Sequence, residues 1–265
     1  MSAMLRRARE DMSAGAQTML KIGGLWKSFA GFVATRDVSF ELEAGEVHAV
    51  IGPNGAGKTT FFNLITGHLR PDKGSVAFEG RDLVGLPPQR IVRLGIARSF
   101  QRINIYPRLT VFENVQVALI AHEGQQWNLF RPGRSLHREG TRELLELVGL
   151  AAEATETAGE LSYGKQKQLE LAIALASQPR LLLLDEPTAG MSPQETSETI
   201  ASVRDIVKAR GLTLLFTEHD MSVVFGIAER ISVLHHGEMI ASGAPDAVRN
   251  DPEVKRVYLG NNAHG

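Results

Sequence analysis

The 265-residue chain contains no cysteine, which excludes a disulfide scaffold, a thiolate metal site and a cysteine nucleophile together. It has almost no excess of either charge: 29 Lys and Arg against 30 Asp and Glu leave a formal −1, so no global basic field marks a nucleic-acid or anionic-membrane surface. Aromatic residues are scarce at 6%, yet hydrophobic residues reach 43%, the balance of a globular α/β chain with a large core. Long apolar runs are missing too. The densest stretches, 181–184 and 169–176, are far shorter than the roughly 18 to 20 residues a membrane span needs, so any membrane association is expected to run through a partner. Residues 1–18 hold Arg6, Arg7, Arg9, Glu10 and Asp11 with no apolar stretch of the secretory kind. They read as a flexible extension, with Met19 as an alternative start.

From there on, β-branched and apolar runs alternate with helical periods, the pattern of an α/β domain. Strands are expected near 19–23, 37–43, 46–51, 75–79, 96–100, 181–185, 212–217 and 231–234. The runs 47–51, 181–184 and 212–216 are apolar almost throughout, as in strands covered on both faces of a sheet. The succession 40–43, Ala44-Gly45, 46–47 predicts an antiparallel hairpin. Ser192-Pro193 followed by Ile200, Val203, Ile206 and Val207 predicts a capped amphipathic helix over 193–209. Between about 106 and 162 no strand pattern appears. Helices over 111–122 and 141–148, parted by Gly124, Pro132 and Gly133, make this a helical insertion in a domain spanning 19–265.

The strongest chemical signal is Gly52-Pro53-Asn54-Gly55-Ala56-Gly57-Lys58-Thr59, a full G-x-x-x-x-G-K-[ST] motif between an expected strand and a helical stretch beginning at Thr60. Glycines let backbone N–H groups curl around an anion, and the helix behind them offers its unpaired N-terminal donors to the same phosphates. Lys58 suits the β- and γ-phosphates of a nucleotide and Thr59 a Mg²⁺ ion. Downstream, 181–184 ends in Asp185-Glu186-Pro187. Two carboxylates at the carboxyl end of a buried strand fit a metal-water ligand and a polariser of the attacking water. Leu161-Ser162-Tyr163-Gly164-Lys165 opens another helix and offers a second anion site at its N-terminus. Alone, each of these weaker segments reads as an ordinary cap or turn. Their order decides: Lys58, Gln101, Ser162, Asp185 and His219 follow at gaps of 43, 61, 23 and 34 residues.

In that series the chain resembles the ATP-binding subunits of ABC transporters over about residues 20–260. The resemblance implies a P-loop fold with a RecA-like parallel core sheet, an antiparallel β subdomain and a helical subdomain. It implies ATP and Mg²⁺ as cofactors, with nucleotide contacts from Phe29, Asn54, Gly55, Gly57, Lys58, Thr59 and Thr60. Phe29 stands where the family stacks an aromatic on adenine. Glu186, His219 and Gln101 are the implied catalytic residues, and Thr59, Gln101 and Asp185 the implied metal-binding ones. Ser162 and Gly164 would complete the site of a second cassette in a head-to-tail dimer. Two departures stand out: Tyr163 and Lys165 replace the usual Gly and Gln of the signature, and Ser192 replaces the usual Asp of the D-loop.

Five segments narrow the resemblance to the LivG-type ATPases of bacterial branched-chain amino-acid importers: Gly95-Ile96-Ala97-Arg98-Ser99-Phe100-Gln101, Leu109-Thr110-Val111-Phe112-Glu113-Asn114-Val115, the Tyr163 signature, Ala189-Gly190-Met191 and the closing Val257-Tyr258-Leu259-Gly260. Such importers pair two different ATPases with two permeases and a periplasmic binding protein, on the cytoplasmic face of the inner membrane. A homodimer is the other arrangement. The segment 125–137, with Trp127, Phe130 and Arg131, is either a plain interhelical loop or a permease contact. Urea or amide importers and the ATPase of lipopolysaccharide export have similar subunits. A soluble clamp on ribosomes or DNA would bring two cassettes or a coiled-coil insertion, and a small-molecule kinase leaves Ser162, Gly164 and His219 unexplained.

Overall fold

The computed structural model describes residues 17–99, 104–124 and 136–259, with the side chains of 258 and 259 left aside. Strands β1 (Thr18–Phe29) and β2 (Phe32–Glu43) form an antiparallel hairpin closed by Ala30 and Gly31. Both turn residues have positive φ, 47° and 90°, as required of a two-residue turn whose twist matches that of its strands. With β4 (Lys73–Phe78) and the short β5 (Arg81–Asp82) they build a four-stranded sheet in the order β2-β1-β4-β5.

The second sheet has six strands in the order β10-β9-β3-β8-β7-β6. Here β3 (Val47–Ile51), β6 (Ile96–Ser99), β7 (Leu181–Asp185), β8 (Thr213–Thr217) and β9 (Arg230–His235) are parallel, and β10 (Glu238–Gly243) lies antiparallel at one edge. The hairpin expected across Ala44-Gly45 is therefore not formed. The chain crosses there from one sheet to the other, because β2 alternates buried and exposed residues while four of the five residues of β3 are buried and belong in the interior of the parallel sheet. β10 was not anticipated from its pattern. Its residues are all at least partly exposed, so no apolar period announces it.

Alternation along the parallel strands divides the core in two. Leu182, Leu184, Leu214, Phe216, Ile231 and Val233 point to one face, against Leu169, Ala172, Val203 and Ile206 of the helices there. Leu181, Leu183, Leu215 and Leu234 point to the other, against Phe61, Phe62 and the apolar face of β1, β2 and β4. Each fully buried Leu or Phe contributes about 1.5–3 kcal/mol. That two-sided burial is why these strands read as unbroken apolar runs.

Helices α1 (Lys58–Ile65) and α2 (Pro88–Arg93) precede β6; between β6 and β7 the described residues hold helices α3 (Val111–His122), α4 (Arg138–Leu147) and α5 (Tyr163–Leu175), and no strand beyond the isolated bridge Thr110↔Thr157. Thr110 and Glu113 close a capping box that starts α3. Buried Asn114 accepts from the Tyr106 amide and donates to the carbonyls of Tyr106 and Thr110, which fixes the segment entering the helix. The helix expected over 193–209 is α6 (Pro193–Arg210), ended by Gly211 in the left-handed conformation. Among the described residues no helix is long and apolar enough to cross a membrane.

Candidate nucleotide site

The carboxyl ends of three adjacent strands meet at one edge of the parallel sheet, where ligands of open α/β sheets bind. β3 leads into the glycine loop, β7 ends at Asp185, and β8 ends at Thr217, which pairs in register with both Asp185 and Val50. Sequence dictates the loop's shape through two close approaches. A Cβ on Gly52 would stand 2.1 Å from the Leu234 carbonyl oxygen, and one on Gly57, with φ 107°, would stand 2.5 Å from that of Ala34. Only glycine is accommodated at either place. Helix α1 (Lys58–Ile65) begins immediately after Gly57, so its free N–H groups point into the loop.

A cavity of about 360 Å³ lies over this loop, lined by Asn54, Gly55, Gly57, Lys58, Thr59 and Thr60 with Phe32 and Glu186. Buried Lys58 folds back on the loop and donates to the carbonyls of Gly52 at 2.6 Å and Pro53 at 3.3 Å. Burial pulls its ammonium below the usual lysine range, and the negative charges of Glu186 and Asp185 partly restore it.

The carboxylates are held by a dense network. Asp185 is buried; its Oδ2 accepts from Arg98 Nη2 at 2.8 Å and its Oδ1 from the Thr217 hydroxyl at 2.8 Å. The Glu186 amide donates to the Thr217 carbonyl and hydroxyl, both at 3.1 Å. Glu186 has φ 52°, a left-handed conformation that costs a non-glycine residue about 1 kcal/mol or more. At that turn its side chain lines the cavity, with Oε1 2.5 Å from His219 Nε2. Glu218, also buried, accepts from the Thr188 amide and hydroxyl and from the His219 amide, tying the loop after β7 to the loop after β8.

The structure thus brings Asn54, Gly55, Gly57, Lys58, Thr59, Thr60 and Glu186 to one cavity, with Asp185 and His219 linked to it. Ser162 and Gly164 do not line it. Ser162 caps α5, accepting from the Lys165 amide at 3.4 Å, and a Cβ on Gly164 would meet Glu195 Oε1 at 3.0 Å. Phe29 does not line it either: half-exposed, it has the Lys27 ammonium 5.5 Å from its ring centre, while its hairpin partner Phe32 reaches the cavity. Gln101 and the stretch 125–135 lie outside the described residues. Ser192, in place of the usual Asp, accepts from the Glu195 amide and caps α6. Sequence reading missed Phe32, Arg98, Thr217 and Glu218. Thr217 and Glu218 stand just before His219 and carried a signal; Arg98 had none beyond the segment 95–101 that contains it, and Phe32 had none.

Residues 35–189 match the family model described as "ABC transporter". The chain belongs to this family. A second, shorter model, described as "Branched-chain amino acid ATP-binding cassette transporter", matches residues 238–264. The ATP-binding cassette is 40% identical over 254 residues to the high-affinity branched-chain amino acid transport ATP-binding protein LivG of Salmonella typhimurium, covering 92% of this chain and 99% of the relative. It is 36% identical over 252 residues to BraF, of the same description, from Pseudomonas aeruginosa, again covering 92% and 99%. Among solved structures, an ATP-binding cassette of an ABC transporter in its ADP conformation superposes with a TM-score of 0.82 at 32% identity, over 92% of this chain and 99% of that one. The cassette fold and nucleotide binding follow from these matches together with the phosphate loop.

Proposed function

We propose that this cassette is the ATP-hydrolysing motor subunit of a branched-chain amino-acid importer. The observation that carries the catalytic part is the single cavity in which the phosphate loop and Glu186 face each other, with His219 bonded to Glu186. The loop amides and the α1 N-terminus bind the phosphates, and Lys58 exchanges the Gly52 and Pro53 carbonyls for phosphate oxygens. Among the described residues no three His, Asp or Glu groups cluster to cage a metal. The Thr59 hydroxyl and, through water, the Asp185 carboxylate would hold Mg²⁺, a hard cation that suits such oxygen donors. That ion supplies charge neutralisation on the phosphate being transferred. Glu186 takes the proton of the attacking water, and His219 orients Glu186 and reaches toward the γ-phosphate.

Because Ser162 and Gly164 stand apart from the chain's own cavity, they are assigned to the site of a second cassette, either a different ATPase subunit or another copy of this chain. Closure of that pair moves permease helices docked on the α3–α5 region, with a periplasmic solute-binding protein delivering the cargo. The subunit works peripherally on the cytoplasmic face of the inner membrane. The cargo reading is supported by the transport activity of LivG and BraF and by the carboxyl-terminal match, which spans β10 and the two helices after it.

The test is purification of tagged Glu186→Gln from native membranes with ATP and Mg²⁺. Turnover is expected to fall about 100- to 10,000-fold with ATP still bound. Two permeases and a second ATPase should copurify, and labelled-leucine uptake should depend on the complex. Near-wild-type turnover refutes the role of Glu186. Recovery with lipopolysaccharide-export components, or uptake of urea or amides in place of leucine, refutes the cargo.

A further inference from the structure

Arg98 belongs to a segment the sequence singled out without giving this residue a task. It sits on β6, its side chain is 5% exposed, and its guanidinium spans three elements. Nη2 donates to Asp185 Oδ2 at 2.8 Å on β7, and Nη1 donates to Asn63 Oδ1 at 2.6 Å on α1. The guanidinium carbon lies 5.4 Å from the centre of the Phe62 ring, also on α1. β6 and β7 are parallel neighbours with Arg98 opposite Leu183, so the side chain runs along the sheet toward its carboxyl edge to reach Asp185 two residues further on.

We propose that Arg98 is the positioning residue for the metal-binding carboxylate, locking Asp185 to the helix behind the phosphate loop and to the strand that leads into Gln101. Three observations support it. Asp185 is buried, and a polar side chain there is held in one orientation only when its oxygens are engaged. Arg98 and Thr217 each take one oxygen from the protein side, which fixes the carboxylate plane and leaves a lone pair on each oxygen for a metal-bound water. The forked, planar guanidinium binds Asp185 and Asn63 at once, a geometry a lysine ammonium does not reproduce. The inference rests on the metal role given to Asp185 above.

The test uses Arg98→Lys and the uncharged Arg98→Met, with folding checked by circular dichroism. Binding of a fluorescent ATP analogue is measured with EDTA and across a Mg²⁺ titration, and Mn²⁺ bound in the ternary complex is read by electron paramagnetic resonance. Both variants should bind the analogue in EDTA as wild type does and should need about 10- to 100-fold more Mg²⁺ or Mn²⁺ for the metal-dependent signal, the usual consequence of losing a partner of a metal ligand. Folded variants with a wild-type metal requirement overturn the proposal, even if their melting temperature falls. If neither variant folds, Asn63→Ala decides: it removes the shorter of the two Nη1 bonds, the other running to the Thr66 hydroxyl at 3.4 Å, and an unchanged metal requirement overturns the proposal. Asp185→Asn serves as the separate control. A wild-type metal requirement in that variant refutes the metal role of Asp185, whereas the Arg98 and Asn63 variants test the positioning.

Discussion

Thr217 offers the cleanest test of how the two carboxylates are held. Its side chain is fully buried, and its hydroxyl donates to Asp185 Oδ1 while accepting from the Glu186 amide. Thr217→Val keeps the shape and removes both bonds. The Glu186 amide retains the Thr217 carbonyl as partner, so its loss is small. The loss at Asp185 is not, because a buried, charged acceptor is left with one engagement fewer, at about 1.5–3 kcal/mol. At about 2 °C per kcal/mol for a chain of this size, the melting temperature should fall by about 3–6 °C. Thr217→Ser keeps the hydroxyl and loses only a buried methyl, at about 1 kcal/mol or roughly 2 °C. Calorimetry on the three proteins without nucleotide should rank them wild type, Ser, Val, and ATP turnover should follow the same order. A Val variant as stable as the Ser variant refutes the claim that hydrogen bonding, and not shape, holds this edge of the sheet.

Two other perturbations are equally direct. Phe32→Ala should weaken ATP binding by about 1–3 kcal/mol, the scale of base–aromatic stacking, and Phe29→Ala by less, since Phe32 lines the cavity; calorimetric titration with the order reversed would support the expected stacking role of Phe29. Glu46 bears on acid stability. Burial pushes its carboxyl up, but the hydrogen bond to His48, the Glu43 amide and the charges of His48 and Arg230 outweigh that and hold it below 4.5. Its folded pKa is depressed, so its stabilisation is complete above about pH 4.5 and lost as pH falls through the folded value. Glu46→Gln should therefore flatten stability against pH on the acid side of 4.5, and an unchanged acid limb in urea titrations would rule that out.

The parts legible in the sequence are those where one physical demand acts alone. The loop at 52–59, the capping of α6 by Ser192-Pro193 and the unbroken apolar strands each carry their reason in adjacent residues. What escaped reading depends on contacts between distant segments. The crossing at Ala44-Gly45 looks like a hairpin because turn chemistry is local, whereas membership of a sheet is decided by burial against other strands. Arg98 looks like any strand arginine until β7 brings Asp185 beside it. Phe29 and Phe32 are three residues apart, and which of them faces the phosphate loop is set by where the hairpin lies against the parallel sheet.

The glycine loop is held from two directions. Leu234 of β9 crowds Gly52, Ala34 of β2 crowds Gly57, and the turn after β9 ties both sides through Arg36 N–H to the Gly237 carbonyl at 2.7 Å and Gly237 N–H to the Ala56 carbonyl at 2.9 Å. The cradle for an anion is therefore also the seam between the two sheets. By linkage, whatever tightens that seam raises nucleotide affinity, and the nucleotide tightens the seam by the same free energy. Amide protons at Arg36 and Gly237 are therefore expected to report occupancy, exchanging more slowly with solvent when nucleotide is bound.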